Sequence, residues 1–197
     1  MTLINPFSAV YPHWGYRRPI TLNNTGTSEL TDYQVLIEID TASLISEGKM
    51  NSDCSDIRFS NSTNTGALPY WIESGCNTTN TRIWVKVDKI PTGESTIYMY
   101  YGNPDATSES NGTAVFDFFD DFETDTGWQT NNATYSITTY DGESVIAIYT
   151  TGNTNNVVYK EISLQRPFKI RWRAIEPSYN QYDEFGAVVF NGGFDSG

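Results

Sequence analysis

The sequence predicts an all-β protein: two β-sandwich (jelly-roll-like) modules of mainly antiparallel strands. Three observations support this. Short runs of β-branched and aromatic residues alternate with polar ones, and clusters of Gly, Pro, Asn and Ser punctuate the runs. Charged residues are sparse at 18% while aromatics reach 14%, which separates the chain from a disordered one. A period of two sends one face of each strand to a core and the other to water, the mark of antiparallel sheets.

Taken in order, the first strand falls in the opening residues 14–24, from Trp14 to Asn24. Residues 33–40 follow, with Val35, Ile37 and Ile39 facing inward against Gln34, Leu36 and Glu38 outward. The only plausible helical turn is residues 41–47, where Ala42, Leu44 and Ile45 precede Gly48, a residue suited to ending a helix. Strands are expected over 56–59, 68–73, 82–88 and 96–101. In 82–88, Ile83, Val85 and Val87 share one face and Trp84 and Lys86 the other. A turn-rich linker, residues 103–112, then separates a first module (1–110) from a second (111–197). In the second, residues 135–140 and 144–150 flank Asp141-Gly142, a pair that supplies the positive φ angles of a tight hairpin. Further strands are expected over 157–162, 168–175 and 185–190. So few strands leave a sheet edge open to another chain.

Charge narrows the partners. Asp and Glu number 24 against 12 Lys plus Arg, a net charge of -12 that repels nucleic acid. No apolar run is long enough to span a membrane. Residues 1–6 lack the basic start and apolar core of a secretory leader, so the chain reads as a mature segment whose targeting and anchoring parts lie elsewhere. The two cysteines, Cys54 and Cys76, sit in polar turn-like segments and form one pair with no thiol left over. A structural disulfide in an oxidising compartment fits, worth about 3 kcal/mol in the chain-entropy picture; two unrelated free thiols are the alternative. Asn-x-Ser/Thr sequons begin at Asn23, Asn61, Asn77, Asn111 and Asn132, and with the cysteines they favour a secreted glycoprotein.

Several motifs in one order carry a family resemblance. They are the opening 14–24, then Leu30-Thr31-Asp32-Tyr33-Gln34-Val35, Ser55-Asp56-Ile57-Arg58-Phe59 and Leu68-Pro69-Tyr70-Trp71-Ile72-Glu73. Ile83-Trp84-Val85-Lys86-Val87 and Ile97-Tyr98-Met99-Tyr100-Tyr101-Gly102-Asn103-Pro104 complete the series. On these, residues 14 to about 123 resemble the domain of unknown function 2341 family. The resemblance implies a module of large secreted or surface proteins and brings no activity with it. Phe118-Phe119-Asp120-Asp121-Phe122-Glu123 resembles the first strand of a concanavalin-like, laminin-G-type jelly roll, of which residues 116–197 would form the beginning.

Three groups of residues could carry chemistry. Asp120, Asp121, Glu123 and Asp125, with Asp117, could collect Ca²⁺, which makes calcium the candidate cofactor; the interleaved phenylalanines equally suit a strand whose acids face water. Trp71 and Trp84 should point away from the apolar face of their strands, and Tyr179 and Tyr182 sit in a loop-like stretch. Such rings can stack on sugars, or can instead cover a second sheet or module. Catalytic sets are not supported. Glu73, Glu123, Glu176 and Glu184 lie in no pairing motif, and the one histidine, His13, has no nucleophile elbow to serve.

The expected function is therefore non-catalytic: an extracellular or cell-surface module for adhesion, carbohydrate-binding, with a glycan or surface-protein ligand. A structural subunit of a filament or surface layer, self-assembling through strand edges, is the alternative. A polysaccharide hydrolase is the third reading.

Overall fold

In the computed structural model, which describes residues 10–140, 142–150, 157–163 and 171, the early alternation becomes two antiparallel sheets around one core. The chain contributes β1 (Tyr16–Asn24), β2 (Leu30–Ile39), α1 (Thr41–Ser46), β3 (Arg58–Ser60), β4 (Ala67–Leu68), β5 (Tyr70–Ser74), β6 (Thr81–Ile90) and β7 (Gly93–Tyr101). One sheet has the order β1-β7-β3-β4 and the other β2-β6-β5. Leu22, Phe59, Ile97 and Met99 of the first sheet and Ile37, Ile83, Val85 and Val87 of the second share one buried cluster. The inward faces expected for β2 and β6 are the observed ones, and Ile83, Val85 and Val87 are fully buried. Each such side chain contributes about 1.5–3 kcal/mol by leaving water.

The short helix lies where the sequence put it. Asp40 caps α1 by accepting from the Ser43 N–H at 2.9 Å, and these bonds hold its carboxyl below the usual range. Gly48, at φ +68°, turns the chain out of the helix. The single strand expected over residues 68–73 is two, β4 and β5, in different sheets. Pro69 stands between them and cannot donate to a ladder, so the chain crosses sheets there.

Cys54 and Cys76 form a disulfide, with their Cα atoms 6.1 Å apart. Cys54 precedes β3 in one sheet and Cys76 follows β5 in the other, so the bridge ties the sheets together. Arg58, 3% exposed, is a second tie. Its guanidinium donates to the carbonyls of Ser55, Ile57 and Thr107, pairs with Glu109 at 3.0 Å and lies over the Trp14 ring. It thereby holds the linker against the sandwich.

After the linker come α2 (Gly112–Val115), β8 (Gln129–Asn131), β9 (Ala133–Tyr140), β10 (Glu143–Thr150) and β11 (Val157–Tyr159). β9 and β10 form the expected hairpin, and β11 pairs with β8. Residues 116–128 form bends, not the strand expected around Phe118 and Phe119. Phe116 and Phe119 turn back onto the sandwich while Phe122 adopts φ +57° and packs on Trp128, so these rings serve different surfaces and cannot alternate on one strand.

Contacts divide the chain into Met1–Ile162 and Ser163–Gly197. Of the second unit only Ser163 and Arg171 are described. The strands expected over 168–175 and 185–190, and the residues Tyr179 and Tyr182, fall outside the described residues, Arg171 apart. Among the described residues no helix is long and apolar enough to cross a membrane.

Candidate functional site

Trp71 and Trp84 sit side by side on the outer face of β5 and β6, being register partners across the two strands. Both point away from the core, as their places in the alternation require, yet neither stands free. Phe119 meets the Trp71 ring at 4.8 Å, and Phe116 meets Trp71 at 5.9 Å and Trp84 at 5.6 Å, all edge to face. Such contacts suit the ring quadrupoles. Val115, fully buried, and the Gln34 amide, which donates to the Val115 carbonyl, fasten the same segment to the sheet. The indole N–H of Trp84 donates to Glu73, which also accepts from Arg82 at 2.9 Å; Arg82 pairs with Glu38 on β2 as well. Glu73, two residues after Trp71, falls on this same face by the strand's alternation, at an irregularity in the β5–β6 register.

The covering segment also closes the free edge of β5. Asn111 N–H donates to the Tyr70 carbonyl at 2.8 Å, and the Ile72 N–H donates to Ser110 Oγ at 2.8 Å. Between this edge and the bends that follow lies a cleft of about 320 Å³, lined by Trp71, Asn111, Thr113, Phe119, Asp120 and Asp121 among others. One tryptophan and two acids singled out from the sequence thus share a surface. Trp84 is not in that lining, and neither are Glu123 and Asp125.

The acids themselves hold the bends in place. Asp120 accepts from the Phe122 N–H, the Trp128 indole N–H at 2.9 Å and the Thr126 hydroxyl. Asp121 accepts from the Glu123 N–H, and Glu123 from Ser144 Oγ at 3.0 Å. Asp125 accepts from the Gly127 N–H and then from the Tyr135 hydroxyl, which lowers its pKa and raises that of Tyr135. Among the described residues no three acidic, histidine or cysteine side chains are placed to share a metal ion. Lys160 joins this network by donating to Thr126 at 2.6 Å, with its ammonium 6.0 Å from both the Phe118 and Trp128 ring centres.

The sequons are spread widely. Asn111 caps α2 through Oδ1, and Asn61 binds its own turn, accepting from the Thr65 and Gly66 N–H groups. Asn23, Asn77 and Asn132 are exposed, the last two at positive φ in turns. The cleft depends on the path of residues 110–121, and the buried Arg58, in the sequence only one member of the motif Ser55-Asp56-Ile57-Arg58-Phe59, holds the linker that leads into it. An arginine between Ile57 and Phe59, in a strand whose three residues are all buried, is the feature that marks it.

Every residue lining the cleft lies between positions 53 and 131. Those residues match a known family model. It is described as a domain of unknown function (DUF2341), and the match spans 53–131, taking in both cysteines, both tryptophans and the covering segment. The resemblance read over 14–123 overlaps this stretch, while the opening 14–24 lies outside it. No curated protein and no solved structure matches the chain.

Proposed function

We propose that this chain is a non-catalytic extracellular or cell-surface module for adhesion, and that it binds carbohydrate in the cleft beside Trp71. One observation carries the reading: an indole, two carboxylates, an amide and three threonine hydroxyls line a single space of about 320 Å³. A sugar offers an apolar C–H face that packs on an aromatic ring and hydroxyls that donate to planar acceptors, so this set of groups suits it. The disulfide between Cys54 and Cys76 supports placement outside the cytoplasm. A glycan array run with and without Ca²⁺ tests the reading. Binding of a saccharide that is lost on Trp71→Ala and weakened on Asp121→Asn is the expected result; no saccharide bound in either condition removes it. The Ca²⁺ arm reports whether the acids of residues 120–125 take a metal.

A second reading, a subunit of a filament or surface layer joined through strand edges, draws on the hairpin. Among the described residues β9 and β10 pair only with each other, and Ile148 and Tyr149 are exposed on them. Electron microscopy and size-exclusion chromatography at high protein concentration test it, a strictly monomeric species being the adverse outcome.

A further inference from the structure

We propose a second ligand site, a pocket over the Tyr16 ring that binds the carboxylate-bearing sugar residue of an acidic saccharide. It does not rest on the Trp71 reading, because the two clefts share no lining residue.

The pocket has a volume of about 410 Å³ and is lined by Tyr16, Lys49, Met50, Asn51, Gly102 and Pro104, with Gly15 and Gly48. Its walls come from distant parts of the chain, and a buried carboxylate pins them. Asp56, fully buried, accepts from the Asn51 N–H at 3.0 Å on one wall, and from the Gly102 and Asn103 N–H groups at 2.6 and 3.3 Å on the other. The Asn51 amide adds a bond to the Asn103 carbonyl. Walls fixed before a ligand arrives lower the ordering cost of binding.

Tyr16 and Tyr101 are register partners whose rings stack at 5.3 Å, yet Tyr16 keeps 42% of its surface exposed. Gly102 makes that placement possible. It sits at φ +86°, and a Cβ there would come within 2.5 Å of the Tyr16 ring. The pocket thus presents a fixed aromatic surface of the kind a sugar ring packs against.

Charge distinguishes this pocket from the first. The Trp71 cleft is lined by Asp120 and Asp121 and no cation, whereas here the lining holds Lys49 and no acidic side chain. The Lys49 ammonium lies 5.8 Å from the Tyr16 ring centre and is held at 2.7 Å by Glu47, outside the lining. Both partners of that ion pair are well exposed, so a ligand carboxylate can take the place of Glu47 with little lost. A neutral sugar would leave Lys49 with Glu47 and use only the ring. A bare anion would use Lys49 alone, whereas a sugar acid uses the ammonium and the Tyr16 ring together.

Isothermal titration of the full chain with trigalacturonate and with galactotriose, at low salt, tests the proposal. Trigalacturonate should bind about two- to fivefold more tightly than the neutral trisaccharide, the worth of one exposed ion pair at low salt. Lys49→Gln should remove that preference, and Glu47→Gln should strengthen trigalacturonate binding by removing the internal competitor. Tyr16→Ala should abolish it. Because Tyr16 also packs on Tyr101, the two exposed-charge variants carry the test, with unchanged urea midpoints as the folding control. Trp71→Ala should leave trigalacturonate binding intact. The proposal is overturned by no binding of trigalacturonate, by equal binding of the two trisaccharides, by indifference to Lys49→Gln, or by loss on Trp71→Ala.

Discussion

Residues 10–115 and residues 116–163 are both rich in strands and aromatic rings, yet every buried side chain among the described residues belongs to the first stretch. In the first, two sheets turn their apolar faces on each other, and side chains from both, Val85 among them, share one buried cluster. In the second, two-stranded ribbons are joined through side-chain bonds around Asp120, Glu123 and Asp125, and Tyr140, Ile148, Tyr149 and Tyr159 remain exposed. Alternation alone buries nothing; it needs an opposing apolar face, and a lone two-stranded ribbon is marginal in water. The candidate clefts reflect the contrast. The Tyr16 pocket is built within the well-packed stretch, while the Trp71 cleft lies where the lightly packed one leans on it.

Core truncation should separate the two stretches most sharply. Phe59→Ala is expected to cost about 3–5 kcal/mol, whereas Ile148→Ala should stay within about 0.5 kcal/mol. Urea midpoints at unchanged slope measure both, and comparable losses would erase the distinction. Next in size is the disulfide. Its reduction should cost about 3 kcal/mol, since it closes a loop of 22 residues between the sheets. The hairpin amides of β9 and β10 should keep their exchange rates at low denaturant; slow, core-like exchange there would show the second stretch packed as firmly as the first.

A smaller effect concerns alkaline pH. Burial, then the charge of Glu109, pushes Tyr11 from 10.0 up to about 12, and burial raises Tyr70 too. The unfolded phenol loses its proton first, so stability is full below about pH 10 and falls as pH rises toward 12. Tyr11→Phe should flatten that fall; an unaltered alkaline profile would count against a buried, neutral Tyr11. The smallest effect lies in the second stretch. Asp125 should titrate below an ordinary carboxylate, its contribution complete above the usual range and lost as pH falls through the lowered value. Tyr135→Phe should move that titration back up, as followed by carboxyl NMR shifts.

Much of this was readable before any coordinates. The inward faces of β2 and β6, the turn of helix at 41–46, the hairpin around Asp141-Gly142 and the cysteine pair follow from local pattern, because period and turn chemistry act over a few neighbours. The outward direction of Trp71 and Trp84 was equally readable. What covers them was not, since Phe116 and Phe119 lie some thirty to fifty residues away and their path depends on linker bonds to Arg58 and on the β5 edge. The acids of residues 120–125 likewise read as a cluster, but the bends spread them over several partners.

By itself, then, the sequence determined the antiparallel β character, the core faces of the main strands and a cysteine pair, Cys54 and Cys76, suited to a disulfide. Only the tertiary structure decided that Asp120 and Asp121 come beside Trp71, that Asp56 clamps the walls around Tyr16, that the disulfide ties one sheet to the other, and that among the described residues burial stops at Val115. The physical reason is range: a strand's alternation is set by its own backbone, whereas a cleft is set by which distant segments find hydrogen-bonding groups and apolar surface to share.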